Sequence, residues 1–175
     1  MLPHEDILVR TRTYAVIPLV DAPQAEGSGK VVLTGTVTAL YQCPGIRVVE
    51  QARLDDILKQ RDLNISHLRS AETATEVGRL VGADAIIMGE LTQYQAQETS
   101  GTIVVYVVAH SGTKYTHRVG LSIRAVRVAD AKVIYARDGW GTSQEGFAEA
   151  AKQAAEMAIK PLRLFYQEKE SLGKP

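Results

Sequence analysis

Residues 47–90, RVVEQARLDDILKQRDLNISHLRSAETATEVGRLVGADAIIMGE, pass from extended to helical periodicity and back. Ile46, Val48 and Val49 form a short β-branched run, and Leu54, Ile57 and Leu58 then fall at the i, i+3, i+4 spacing that lines one side of a helix. Thr73 and Glu76 have the capping-box spacing, and Ala74, Val77, Leu80 and Val81 make a second helical stripe. Gly82 stands where a left-handed C-cap costs least. Ala85, Ile86, Ile87 and Met88 run apolar without alternation, as a strand covered on both faces does. The stretch predicts strand, helix, helix, strand, and none of it is catalytic chemistry.

Working outward, the chain reads as α/β in one domain. Residues 1–12 are a polar lead-in, residues 13–166 the domain, and residues 167–175 a polar C-terminal tail. The first strand is 14–19, with Pro18 near its end where a missing N–H is tolerated. A small-residue loop, VDAPQAEGSGK over residues 20–30, leads to a helix over 31–42, and Cys43, Pro44 and Gly45 break the chain. Downstream, the strand from Ala85 continues to Gln95, and AQETSG over 96–101 reads as a turn. A strand over 102–109, a tight turn at 110–113 and a returning strand over 114–128 follow. In the returning strand the apolar set moves from Val119, Leu121, Ile123 and Ala125 to Val126 and Val128, which predicts a bulge near Ala125. The strand over 132–136 closes an extended antiparallel meander in the C-terminal half. Ser143 and Glu145 can cap a last helix whose face of Phe147, Ala151, Ala154, Ala155 and Ala158 is small enough to pack closely on a sheet. Pro161 is expected to kink or end that helix.

Composition narrows the function classes. Twenty Lys and Arg balance twenty Asp and Glu, which removes the electrostatic argument for nucleic acid. Cys43 is the single cysteine, so no internal disulfide forms and cysteine usage does not fix the compartment. No run approaches the ~18 apolar residues of a helical membrane span. The first residues lack an apolar signal core, yet a mature domain restarted with Met after signal removal reads the same way.

The motifs of zinc, thiol, serine and dinucleotide chemistry are missing, and no catalytic residue, metal site or cofactor is expected. Gly27-Ser28-Gly29-Lys30 lies between strand and helix, the context of a phosphate-binding loop. A Walker A loop needs a Gly where Gln24 stands and a Ser or Thr where Val31 stands, so both the cradle and the magnesium ligand fail. A nucleotide- or small-molecule-binding enzyme using residues 27–30 remains the alternative of another class. Cys43 could pair with His67, His110 or His117, but a lone Cys before Pro-Gly reads as a small buried hydrophobe. His110 and His117 flank a turn and read as surface histidines, and Asp55 and Asp56 as a solvated helix face. Trp140 sits in a Gly-flanked segment, either on the edge of the core or as a surface contact.

Combined, Arg47 to Glu50, Arg53 to Leu58, Gly78 to Asp84, Ile86 to Gly89 and the block Leu121 to Val128 with Lys132 to Tyr135 resemble the CsgG family, outer-membrane lipoproteins typified by the curli secretion channel. The resemblance implies an anticodon-binding-like sheet, related to the TolB amino-terminal domain, of about five or six strands with helices packed on it. It also implies a periplasmic, outer-membrane-associated subunit held by a lipid anchor outside this sequence, assembling as a ring of copies and working with other envelope secretion or assembly proteins. Relatives without a channel wall, such as PelC-like exopolysaccharide-export and flagellar accessory lipoproteins, fit better than the channel. The channel has two membrane hairpins per subunit, whereas only the first position holds one here, at 102–118, and its strands lack the alternation of a lipid-facing barrel. The channel's constriction loop would correspond to residues 20–30, with Asp21, Gln24, Glu26 and Lys30 as candidates; that loop has no aromatic and Gln24 as its one amide. Candidate oligomer contacts are Tyr106, Tyr115, His117 and Trp140. The expectation is a non-enzymatic scaffold; a pore-forming secretion subunit is the alternative within the family.

Overall fold

The structure is a computed structural model that describes residues 2–99 and 114–172. Among the described residues five strands form one mixed sheet: β1 Thr13–Val16, β2 Arg47–Val48, β3 Ala85–Thr99, β4 Lys114–Arg127 and β5 Val133–Ser143, in the order β2-β1-β3-β4-β5. β1 runs parallel to β2 and β3, and β3, β4 and β5 are antiparallel. The helices are α1 Glu5–Leu8, α2 Ser28–Tyr41, α3 Gln51–Gln60, α4 Ala71–Val81 and α5 Phe147–Leu172.

Side-chain alternation divides the core. Tyr14, Val16, Ala85, Ile87, Leu121, Ile123 and Ala125 face α2 and α5. Ala15, Ile17, Ile86, Met88, Val126 and Val128 face α3 and α4. Residues 85–88 are covered on both sides, as the unbroken apolar run requires. Gly82 ends α4 at φ 73°, the left-handed cap.

Several expectations are corrected. The N-cap of α4 is Ser70, which puts Thr73 inside the helix, and Leu80 is partly exposed. Residues 96–99 continue β3 and pair with 114–117, because antiparallel pairing with β4 satisfies the backbone while the side chains of 96–98 stay exposed. β4 is hydrogen-bonded to β3 along its length; the expected strand over 102–109 and the 110–113 turn lie outside the described residues. The irregularity at Ala125 is present, with Ile134 of β5 as the extra residue. β5 runs to Ser143 instead of ending at Ala136, and α5 passes through Pro161 to Leu172, into the polar tail. Burial of Leu162, Phe165 and Tyr166 beyond the proline offsets the lost i→i−4 hydrogen bond.

The lead-in is packed as well. Leu8 is fully buried, and the Tyr166 hydroxyl lies 2.9 Å from the Leu8 carbonyl, 2.8 Å from that of Thr11 and 2.8 Å from the Tyr14 hydroxyl. The Asp84 carboxylate accepts from the backbone N–H groups of Arg12 and Thr13 at 2.9 and 2.8 Å, fixing the entry to β1.

Burial pushes the Cys43 thiol and the Tyr135 and Tyr166 hydroxyls up to about 12, and raises Tyr14 well above its ordinary value. Raised folded values mean that the native state keeps protons the unfolded chain has lost. Stability is thus fully present below about pH 9 and falls as pH climbs toward 12, by up to ~1.4 kcal/mol per pH unit for each group. Urea midpoints measured at pH 7, 9 and 11 should be level between the first two and lower at the third.

Candidate functional site

The 20–30 loop is a helix N-terminus already filled from within. Asp21 accepts from the backbone N–H of Gly27 at 2.9 Å and of Gly29 at 2.7 Å, and the Ser28 hydroxyl accepts from Ala22 N–H at 3.0 Å. α2 begins at Ser28, so Ser28 to Lys30 are helix and not loop. A carboxylate occupies the place where a phosphate would bind, and a Cβ at Gly29 would meet the Leu19 carbonyl oxygen at 2.2 Å. Asp21 is thus a capping residue, while Gln24, Glu26 and Lys30 are exposed. Asp21→Ala should cost about 1 kcal/mol, the usual loss for an N-terminal cap, read as a lower urea midpoint.

Of the oligomer-contact candidates, Tyr106 lies outside the described residues. Tyr115 and His117 are on the α2/α5 face of β4. His117 is half-buried rather than on the surface, packing edge-on to Phe147 at 4.7 Å, while Phe147 stacks on Tyr94 at 3.9 Å. Tyr115, one step further along, is 48% exposed. Trp140 is on the opposite face, paired across from Gly120, and is 62% exposed, which resolves the sequence alternatives toward a surface position. The structure therefore does not gather the loop and these residues into one cleft.

The glycines beside Trp140 explain its place in a strand. A Cβ at Gly139 would lie 2.0 Å from the Ala154 carbonyl oxygen, and one at Gly141 1.9 Å from that of Ala150. α5 lies directly on β5 through glycine on one side and alanine on the other. Glycine at every second strand residue opposite alanine at every fourth helix residue was a readable signal for this contact.

Sequence reasoning also missed a surface. α5 covers the α2/α5 face as far as β5, but the α3/α4 layer stops short, leaving the opposite face of β3, β4 and β5 open from Glu90 onward among the described residues. Cross-strand rows on this face are Glu90, Ser122 and Asp138, then Gln93, Gly120 and Trp140, then Gln95, Arg118 and Thr142. Where the layer stops, a groove of about 340 Å³ runs between the 64–69 segment and the sheet, lined by Pro18, Val20, Ile65, Leu68, Met88 and Arg124 among others. Among the described residues no His, Cys, Asp and Glu cluster could hold a metal ion, and no helix is long and apolar enough to cross a membrane.

Solved structures share this architecture. Lipoprotein GNA1162 from Neisseria meningitidis superposes with a TM-score of 0.59 at 15% identity, covering 75% of this chain and 83% of its own. The PelC dodecamer from Paraburkholderia phytofirmans gives 0.57 at 14% identity, over 88% and 89% of the two chains. The LpoB C-terminal domain from Escherichia coli gives 0.52 at 11% identity, over 81% and 96%. At these identities the likeness is one of fold. No curated protein sequence matches the chain. Residues 26–155, most of the chain, match the family described as curli production assembly/transport component CsgG, and the chain belongs to that family.

Proposed function

We propose that the protein is a non-enzymatic, periplasmic and outer-membrane-associated subunit that assembles with copies of itself, as a ring, and serves as an accessory scaffold of an envelope secretion or surface-assembly system. The observation that carries this reading is the open sheet face: among the described residues three strands lack the third layer that covers the rest of the sheet, and they present a Trp that is 62% exposed. Exposed aromatics on a patch of mixed charge are the usual anchors of protein interfaces. Membership of the CsgG family and likeness to a PelC that is a dodecamer support assembly. The Asp21 cap at the start of α2 argues against the nucleotide-site alternative.

Sedimentation velocity of the wild type and of Trp140→Glu tests it. Trp140 is exposed, so the substitution should leave thermal stability nearly unchanged while shifting the boundary toward the monomer by at least tenfold in dissociation constant. Equal assembly in both would remove Trp140 from the interface. Planar-bilayer conductance separates a scaffold from a secretion pore: the scaffold reading expects none.

A further inference from the structure

We infer that the open edge of β5 binds an extended peptide segment of a partner protein as a sixth strand of the sheet. β5 is an edge strand of eleven residues. The backbone N–H of Thr142 donates to Gln153 Oε1 of α5 at 3.1 Å, so residue 142 points its peptide groups away from β4. Pairing runs without interruption from Ser143 to Tyr135, and alternation therefore turns the N–H and C=O groups of Ala136, Asp138 and Trp140 outward too. The same alternation continues across the sheet, where the carbonyls of Ile87 and Gly89 accept from Ile17 and Val20 in the segment that follows β1.

An edge of this kind is normally blunted by proline, charged side chains (lysine above all), a bulge or a covering element. From Ala136 to Ser143 there is no proline and no lysine, Arg137 and Asp138 are the charged side chains, and the bulge lies before this stretch, at Ile134. Gln153 caps the outward N–H of Thr142 and leaves the three before it open.

The occupant is a peptide and not a second β5. Antiparallel pairing of two β5 strands keeps both α5 helices on the same face. Each α5 rests directly on its own β5, through Gly139 and Gly141. Strands about 5 Å apart would then hold helices at that spacing, whereas packed helices need about 8–10 Å. A bare extended segment carries no helix and meets no such clash. Trp140 projects from the open face beside the edge and offers an aromatic wall to an apolar side chain of the added strand, with specificity set by alternate residues. This inference deepens the scaffold reading, since it names how a scaffold would hold a client chain. It stands or falls separately, because peptide binding is measurable whatever the copy number.

The test uses a twelve-residue phage-displayed peptide library panned on the intact protein, with the best binder synthesised and measured by fluorescence anisotropy. The expected result is a binder that slows hydrogen exchange at Ala136, Asp138 and Trp140. N-methylation of the peptide at alternate residues in one register should weaken it by about tenfold per site, and methylation in the other register should leave it unchanged. Asp138→Pro removes an outward donor that the fold does not use and should weaken binding similarly. Absence of any enriched peptide, exchange protection elsewhere, or indifference to both methylation registers would overturn the inference.

Discussion

Replacing Gly141 with valine lowers stability by at least about 3 kcal/mol, the upper range for overpacking, or prevents folding. A Cβ there would lie 1.9 Å from the Ala150 carbonyl oxygen and 2.8 Å from Gln153 Cβ. The helix backbone is the obstacle, and it has no rotamer by which to move aside. α5 would have to lift from β5, and the buried contacts of Ala150, Ala154 and Ala158 would open with it. Thr142→Val, one residue on at an exposed position, is the control and should stay within about 0.5 kcal/mol of the wild type. Urea denaturation of both variants checks the contrast.

Tyr166→Phe is expected to cost about 3 kcal/mol, because a buried polar group left without a partner costs ~1–3 kcal/mol and this hydroxyl serves several. Tyr14 donates to it, and its proton is shared between the carbonyls of Leu8 and Thr11. The substitution keeps the ring, which stays edge-on to Tyr14 at 6.5 Å, so lost packing is not the cause. It leaves Tyr14 short of an acceptor and frees residues 8–11 from α5. A lower urea midpoint, together with faster proteolysis near residue 10, is the expected pair of results; a drop within about 0.5 kcal/mol would show that water replaces the hydroxyl.

Much of the scaffold was legible in the sequence where periodicity and burial agree. The 47–90 stretch folds as strand, helix, helix, strand because Leu54 and Leu58, Ala74 and Val77, and Ile86 and Ile87 bury as their spacing implies. What failed were places where a tertiary partner overrides local chemistry. Residues 96–99 look like a turn, yet the facing strand supplies their hydrogen bonds. Gly139 and Gly141 look like strand breakers, yet the helix above them permits nothing larger. Pro161 looks like a stop, yet the buried Leu162, Phe165 and Tyr166 hold the next turns in place.

The candidate site was legible only in part. Trp140 stood out as an isolated aromatic, but the open face around it depends on how far α3 and α4 reach over the sheet, a distance no local pattern encodes. Asp21 was singled out for a constriction loop. Within the chain its carboxylate completes the first turn of α2, a role set by a fold-back of six to eight residues.

Native mass spectrometry of the purified protein at micromolar concentration tests the scaffold reading most directly. The predicted spectrum is dominated by one closed species whose mass is a whole multiple of 19.1 kDa, lost on Trp140→Glu. A single peak at 19.1 kDa across the concentration range would contradict it.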